Sequence, residues 1–212
     1  MLIIRLGLFD DHDIVRAGFK HIFAQHSDIH IAAEGGTGRE ALAAVREQEL
    51  DVCMVDINMP DLSGMDVLKQ AKSIRPEMAV LVLSAYPEEQ YGLNVLKAGA
   101  SGFVSKGLEP AQLVLAVRTV AAGKRYVSPK LADMLAAGLT SDLDAPAHTR
   151  LSEREFQIFS KLVVGCTVTD IANDLCLSAK TVSTYRARLL EKMGFHSNAE
   201  LAHYAVKHNL IQ

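Results

Sequence analysis

The chain has 212 residues, 49% hydrophobic and 22% charged, a balance that suits one large folded domain or two modest ones and excludes disordered, collagen-like and coiled-coil chains. Twenty-two Lys and Arg against 25 Asp and Glu leave a net charge of −3, so the whole-chain figure carries no polyanion-binding signature. The three cysteines, Cys53, Cys166 and Cys176, form no C-x-x-C pair and read as small hydrophobes of a reducing compartment.

Residues 1–9 are apolar enough to suggest a signal core. Asp10 and Asp11 cut the run short, and no small-residue cleavage site follows. A buried strand ending at a pair of acids is the expectation. No apolar run approaches the ~20 residues of a membrane span, so a cytoplasmic protein with no membrane partner is expected.

Strand-length apolar runs at Ile3–Phe9, Ile29–Ala33, Val52–Val55, Val80–Leu83 and Gly102–Val104 alternate with amphipathic stretches. The stretches are His12–Gln25, Gly38–Gln48, Gly64–Ser73, Glu88–Lys97 and Pro110–Ala122. Five successive βα units predict a parallel, doubly wound sheet with helices on both faces. Gly35-Gly36-Thr37-Gly38 has the look of a phosphate loop but lacks the Gly-Lys-Ser/Thr ending, and reads as a strand-to-helix turn. Past Gly123 the pattern weakens. A short helix is expected over Ser128–Leu139, capped by Ser128 with Pro129 at its first position. The stretch from Thr140 to Thr149 has no apolar periodicity and reads as linker.

After Arg150 every pattern is helical. Ser152 and Glu155 stand as a capping box, and helices fit Thr167–Cys176, Ser178–Met193 and Ser197–His208. The two joined by a very short turn match a helix-turn-helix. Val182, Leu189 and Met193 form the inward stripe of the second. Thr181, Thr184, Tyr185 and Arg188 are left facing outward, beside the basic Lys180, Arg186 and Lys192.

Sites of doubly wound sheets lie at the carboxyl ends of the strands. Asp10 and Asp11 follow the first strand, Asp56 the third, Ser84 the fourth and Lys106 the fifth. Three carboxylates in one crevice repel each other unless a cation lies among them. Oxygen ligands with an incomplete protein shell suit Mg2+. Asp56 is then placed as a nucleophile toward a phosphoryl group, with Lys106 and the Ser84 hydroxyl for the phosphoryl oxygens. His12 is read as a structural residue at the helix start.

Phe-Asp-Asp-His (9–12), Val-Asp-Ile-Asn-Met-Pro-Asp-Leu-Ser-Gly (55–64), Leu-Ser-Ala-Tyr (83–86) and Gly-Phe-Val-Ser-Lys (102–106) resemble the four signature stretches of response-regulator receiver domains. The resemblance implies a flavodoxin-like strand order, 2-1-3-4-5. It also implies Asp56 as phosphoacceptor, a Mg2+ site of Asp10, Asp11, Asp56 and the Asn58 carbonyl, and Ser84 and Phe103 as the switch pair with Lys106. Gly107 stands where the family often has a polar capping residue.

Leu-Ser-Glu-Arg-Glu (151–155), Asp-Ile-Ala-Asn-Asp-Leu (170–175) and residues 177–193 resemble the LuxR-type helix-turn-helix. With the receiver in front, the architecture is similar to that of the NarL/FixJ class of transcriptional regulators. It implies a receiver at 1–123, a linker at 124–148 and a DNA-binding domain at 149–212. Tyr185 stands where the class often has His. By analogy Lys180 and Arg186 contact phosphates and Val182, Ser183 and Arg188 approach bases, with Thr181, Tyr185 and Lys192 beside them.

The expected protein is therefore a DNA-binding regulator and not an enzyme, phosphorylated by a sensor histidine kinase and acting on double-stranded DNA as a homodimer. Two alternatives stand beside it. One is a regulator with a relic pocket. The other is a Mg2+-dependent phosphatase, which needs a second acid two residues after the nucleophile, where this chain has Asn58. Charge divides accordingly: residues 1–145 carry 14 basic and 19 acidic side chains, net −5, and residues 146–212 carry 8 and 6, net +2.

Overall fold

The structure is a computed structural model describing residues 3–86, 88–138, 146–175, 177–208 and 210. The chain divides into two compact units, Met1–Thr140 and Ser141–Gln212. In the first, β1 (Ile4–Phe9), β2 (Ile29–Gly35), β3 (Val52–Asp56), β4 (Ala79–Ser84) and β5 (Gly102–Ser105) alternate with five helices. These are α1 (Asp13–Phe23), α2 (Gly38–Glu47), α3 (Gly64–Ile74), α4 (Glu88–Lys97) and α5 (Pro110–Ala121). All pairings are parallel and the order is β2-β1-β3-β4-β5, the expected arrangement.

Both faces of the sheet are covered, which is why β3 and β4 are apolar at consecutive positions. Leu6, Leu8, Met54, Leu81 and Leu83 share one core cluster with Phe19 and Phe23 of α1 and Leu113, Val117 and Val120 of α5. Their neighbours Cys53, Val55, Val80 and Val82, also buried, alternate to the opposite face. Burial pushes the Cys53 thiol up to about 12, so it stays a neutral hydrophobe. Pro110 opens α5 behind Glu109, and the helix therefore starts well without a capping residue at Gly107.

A sixth helix, α6 (Pro129–Gly138), belongs to the first unit. Ser128 Oγ accepts from the Leu131 amide at 3.0 Å, as the cap predicts, and donates to Glu88 Oε2 of α4 at 2.6 Å. Leu131 is fully buried. Tyr126 is tied to the edge of β5 through Ser101, its amide donating to the carbonyl there at 2.9 Å. The expected helix end at Leu139 and the linker stretch 140–145 lie outside the described residues.

The second unit holds a 3-10 turn at Ala147–Arg150, then α7 (Glu153–Val163), α8 (Val168–Asp174), α9 (Ala179–Met193) and α10 (Asn198–Lys207). Ser152 and Glu155 form the expected capping box, and Thr167 with Asp170, Ser178 and Ser197 cap α8, α9 and α10. Gly194 closes α9 at φ +71°, a left-handed conformation that glycine adopts without cost. Phe156, Phe159, Ile171, Val182, Leu189 and Leu201 form the buried centre. His148, read from sequence as linker, is buried beneath Tyr204, with Nδ1 2.9 Å from the Tyr204 hydroxyl. Cys176, between α8 and α9 in sequence, is outside the described residues.

Candidate functional site: an acidic pocket and a basic recognition helix

Parallel pairing brings the carboxyl ends of β1, β3, β4 and β5 to one edge, and with them the predicted side chains. Lys106, just past β5, lies 2.8 Å from Asp10 Oδ2 and 2.9 Å from Asp56 Oδ2. Its amide donates to the Ser84 carbonyl at 2.8 Å, which fixes the residue beside the end of β4. Asp10, Asp56 and Ser84 are buried, Asp10 and Ser84 completely. Asp11, Asp10, His12 and Asp56 each offer one ligand atom, and these atoms lie within 4.8 Å of one another.

Such burial is electrostatically expensive. It pushes the Asp56 carboxyl up to about 6, against the downward pull of Lys106 and with the charge of Asp10 adding to the rise. Burial also opposes the charge of Lys106, but hydrogen bonding to Asp10 and the charge of Asp56 hold its pKa above the ordinary lysine value. Lys106 meets Asp10 Oδ2 and Asp56 Oδ2 at ion-pairing distance rather than as a well-aligned hydrogen-bond donor. Buried carboxylate oxygens left in this state favour a cationic or hydrogen-bond-donating ligand. The all-oxygen set of Asp10, Asp11 and Asp56 beside the Asn58 main chain fits a hard divalent cation.

The loops are shaped around this pocket. A Cβ on Gly64 would lie 2.3 Å from the Asp56 carbonyl oxygen and 2.7 Å from Ile57 Cα, so only glycine lets α3 start so close behind the acid. Ser84 Oγ accepts from the Tyr86 amide at 2.9 Å. Phe103 is packed inward at 2% exposure. Arg16, which sequence reasoning passed over, donates to the Asp10 carbonyl and pairs with Asp13, bracing the acidic turn. Its signal was the i,i+3 spacing from Asp13. Asp61, within the motif at 55–64, accepts from the Gly38 and Arg39 amides at 2.7 and 3.0 Å and fastens the β3–α3 loop to the start of α2.

In the second unit α8 and α9 pack together around Ile171 and Val182. Ser183 and Arg188 are exposed, and Thr181, Tyr185 and Arg186 half-exposed. Two members of the predicted DNA-facing set are placed otherwise. Val182 has no exposed surface, because it lies on the apolar stripe, and it cannot meet a base edge. Thr184, exposed two positions on, occupies the outward face instead. Lys192 is ion-paired at 2.7 Å with Glu155, itself 3% exposed, so its charge is used inside the unit. Arg186 Nε donates to Asn198 Oδ1 at 2.8 Å, which orients the guanidinium from α10.

Residues 7–118 match the response regulator receiver domain family, and residues 149–205 match the luxR family of bacterial regulatory proteins. The chain is 43% identical over 200 residues to the transcriptional regulatory protein UhpA of Salmonella typhimurium, covering 94% of this chain and 96% of that one. It is 37% identical over 210 residues to the response regulator GacA of Pseudomonas viridiflava, covering 98% of each. The fold is shared with RcsB from Salmonella enterica serovar Typhimurium, solved bound to promoter rprA in the presence of phosphomimetic BeF3-. That likeness has a TM-score of 0.68 at 24% identity, over 95% of this chain and 98% of that one.

Proposed function

Because the chain belongs to the NarL/FixJ-type response regulators, two-component transcriptional regulators that join a receiver to a LuxR-type DNA-binding domain, we propose that Asp56 is its phosphoacceptor. The observation that carries this reading is the buried Asp10–Lys106–Asp56 constellation, in which one lysine is ion-paired to two buried carboxylates. A sensor histidine kinase is the donor. An Asp56 oxygen attacks phosphorus, the P–N bond to the kinase histidine breaks as the P–O bond forms, and the imidazole leaves with the electron pair.

Lys106 first holds the Asp56 carboxylate and then neutralises a phosphoryl oxygen, while the Ser84 hydroxyl turns to donate to another. Asp10, Asp11, Asp56 and the Asn58 carbonyl would hold Mg2+, whose contribution is to offset the charge of the incoming group. Phe103, already packed inward, readjusts with Ser84, and the region of α4, β5 and α5 changes its equilibrium between two arrangements.

The receiver at 1–123 acts through the segment 124–148 on the domain at 149–212, which binds double-stranded DNA as a homodimer in the cytoplasm. Lys180 and Arg186 contact phosphates. Thr181, Ser183, Thr184, Tyr185 and Arg188 face the groove. Incubation with acetyl phosphate and Mg2+ should label the wild type and leave Asp56→Asn unlabelled; labelling of Asp56→Asn overturns the assignment. BeF3- should raise promoter affinity in the wild type and leave Asp56→Asn unchanged, and an affinity indifferent to BeF3- in both would favour the relic-pocket alternative.

A further inference from the structure

The basic side chains of α9 do not all meet the same kind of partner. Lys192 is ion-paired at 2.7 Å with the buried carboxylate of Glu155, and its charge is spent inside the unit. Arg186, on the same helix, is held by a neutral group. Its Nε donates to the side-chain oxygen of Asn198 at 2.8 Å. A guanidinium only donates, so the atom that receives this bond must be the amide oxygen. Among the described residues no carboxylate pairs with Arg186.

Asn198 is a firm support for that contact. It is the first residue of α10, directly behind the cap in which Ser197 Oγ accepts from the Glu200 amide at 3.3 Å. Both partners are half-buried, and the bond joins two helices. Nε is the donor nearest the arginine stem. Bonding it fixes the plane of the guanidinium and leaves the terminal Nη groups for acceptors outside the unit.

An amide at this place does what neither a carboxylate nor a methyl group can. A carboxylate would orient the guanidinium equally well but cancel its charge, as Glu155 does for Lys192. A methyl group would spare the charge but leave a rotamer-rich side chain to be ordered at the moment of binding, which weakens association. We propose that Asn198 is a positioning residue for DNA binding, one that pre-orients Arg186 for a backbone phosphate while leaving its positive charge intact. The proposal rests on the reading of Arg186 as a phosphate contact.

The test measures binding of the full-length protein to a fluorescein-labelled DNA duplex of random sequence, by anisotropy over a salt series. Phosphate contacts are independent of sequence, so this probe reads them directly. Urea melts of the second unit accompany each variant. Arg186→Ala should lower the slope of log affinity against log salt by about one. Asn198→Asp, nearly identical in shape, should lower it by a similar amount. Its urea midpoint should stay at or above the wild-type value, because a carboxylate suits both the guanidinium and the first turn of α10. Asn198→Ala should keep the wild-type slope and weaken binding about threefold to tenfold. A merely structural role for Asn198 would lower affinity only together with stability, so a reduced urea midpoint in Asn198→Asp overturns the proposal. A wild-type slope in Asn198→Asp, or wild-type affinity in Asn198→Ala, overturns it too, and leaves the Arg186 contact standing where Arg186→Ala has lowered the slope. An unchanged slope in Arg186→Ala overturns the phosphate reading itself.

Discussion

Asp56 is charged at neutral pH against the resistance of its own surroundings, and Gly64 and Lys106 exist at their positions to make that residue usable. The glycine leaves room for α3 behind the carbonyl, and the lysine offsets the charge. His148 shows the same tension in the second unit. Burial, with the neighbouring His208 adding to it, lowers its pKa from 6.5 to about 4. The folded unit therefore holds fewer protons than the unfolded chain between those values, and stability is full above pH 6.5 and declines as pH falls. Between pH 6.5 and 5 the loss is about 2 kcal/mol at 1.36 kcal/mol per unit. Calorimetry of the full chain should show the transition of the second unit dropping by about 8 °C over that range, with a flat profile in His148→Asn. His148 was not legible as a core residue because its partners, Tyr204 and His208, lie over fifty residues away, and no local period marks such a contact.

At the scale of elements, the contact between α4 and α6 is the least foreseeable. The sequence offers Ser128-Pro129 as a helix start and nothing about what the helix rests on. In the structure Leu131 sits against Gly92 of α4, where an added Cβ would lie 2.7 Å from Leu131 Cδ1. Leu131 is fully buried and has little room to retreat. Gly92→Ala should lift α6 from α4, raising hydrogen exchange of the Leu131–Met134 amides about tenfold, equivalent to about 1.4 kcal/mol of local opening. Exchange unchanged there would mean that α6 is held chiefly by the Ser128–Glu88 bond. Glu88 begins α4 only four residues after Ser84, so movement of the Ser84 hydroxyl, in the switching role proposed for it, has a short covalent path to this contact.

For the molecule as a whole, several of the basic side chains in residues 146–212 are engaged within the unit and are not free for an anionic partner. Of its basic side chains, Lys192 is paired with Glu155, Lys161 with Asp174, and Arg154 with Gln157 and the Leu175 carbonyl. Lys180 and Arg188 are the basic side chains of α9 outside such pairs among the described residues. Lys180→Ala should lower the slope of log affinity against log salt by about one on any DNA sequence. Lys192→Ala should leave the slope unchanged. It should instead cost the unit about 1–2 kcal/mol by unpairing buried Glu155, a value discounted from that of a fully buried pair because the lysine is 44% exposed. Salt titrations by fluorescence anisotropy, with urea melts of both variants, separate the two.

The sequence by itself determined the sheet, its helices and the caps, because these follow from local periodicity and from side chains bonding within three or four residues of themselves. It also determined which residues stand at the carboxyl ends of the strands, since parallel topology gathers those ends whatever their separation along the chain. Tertiary structure alone decided how each was used. It buried Val182, paired Lys192 with Glu155 and seated α6 on α4. It also turned the His12 ring toward Asp10 and Asp11, since burial and pairing depend on what other segments bring to the same place.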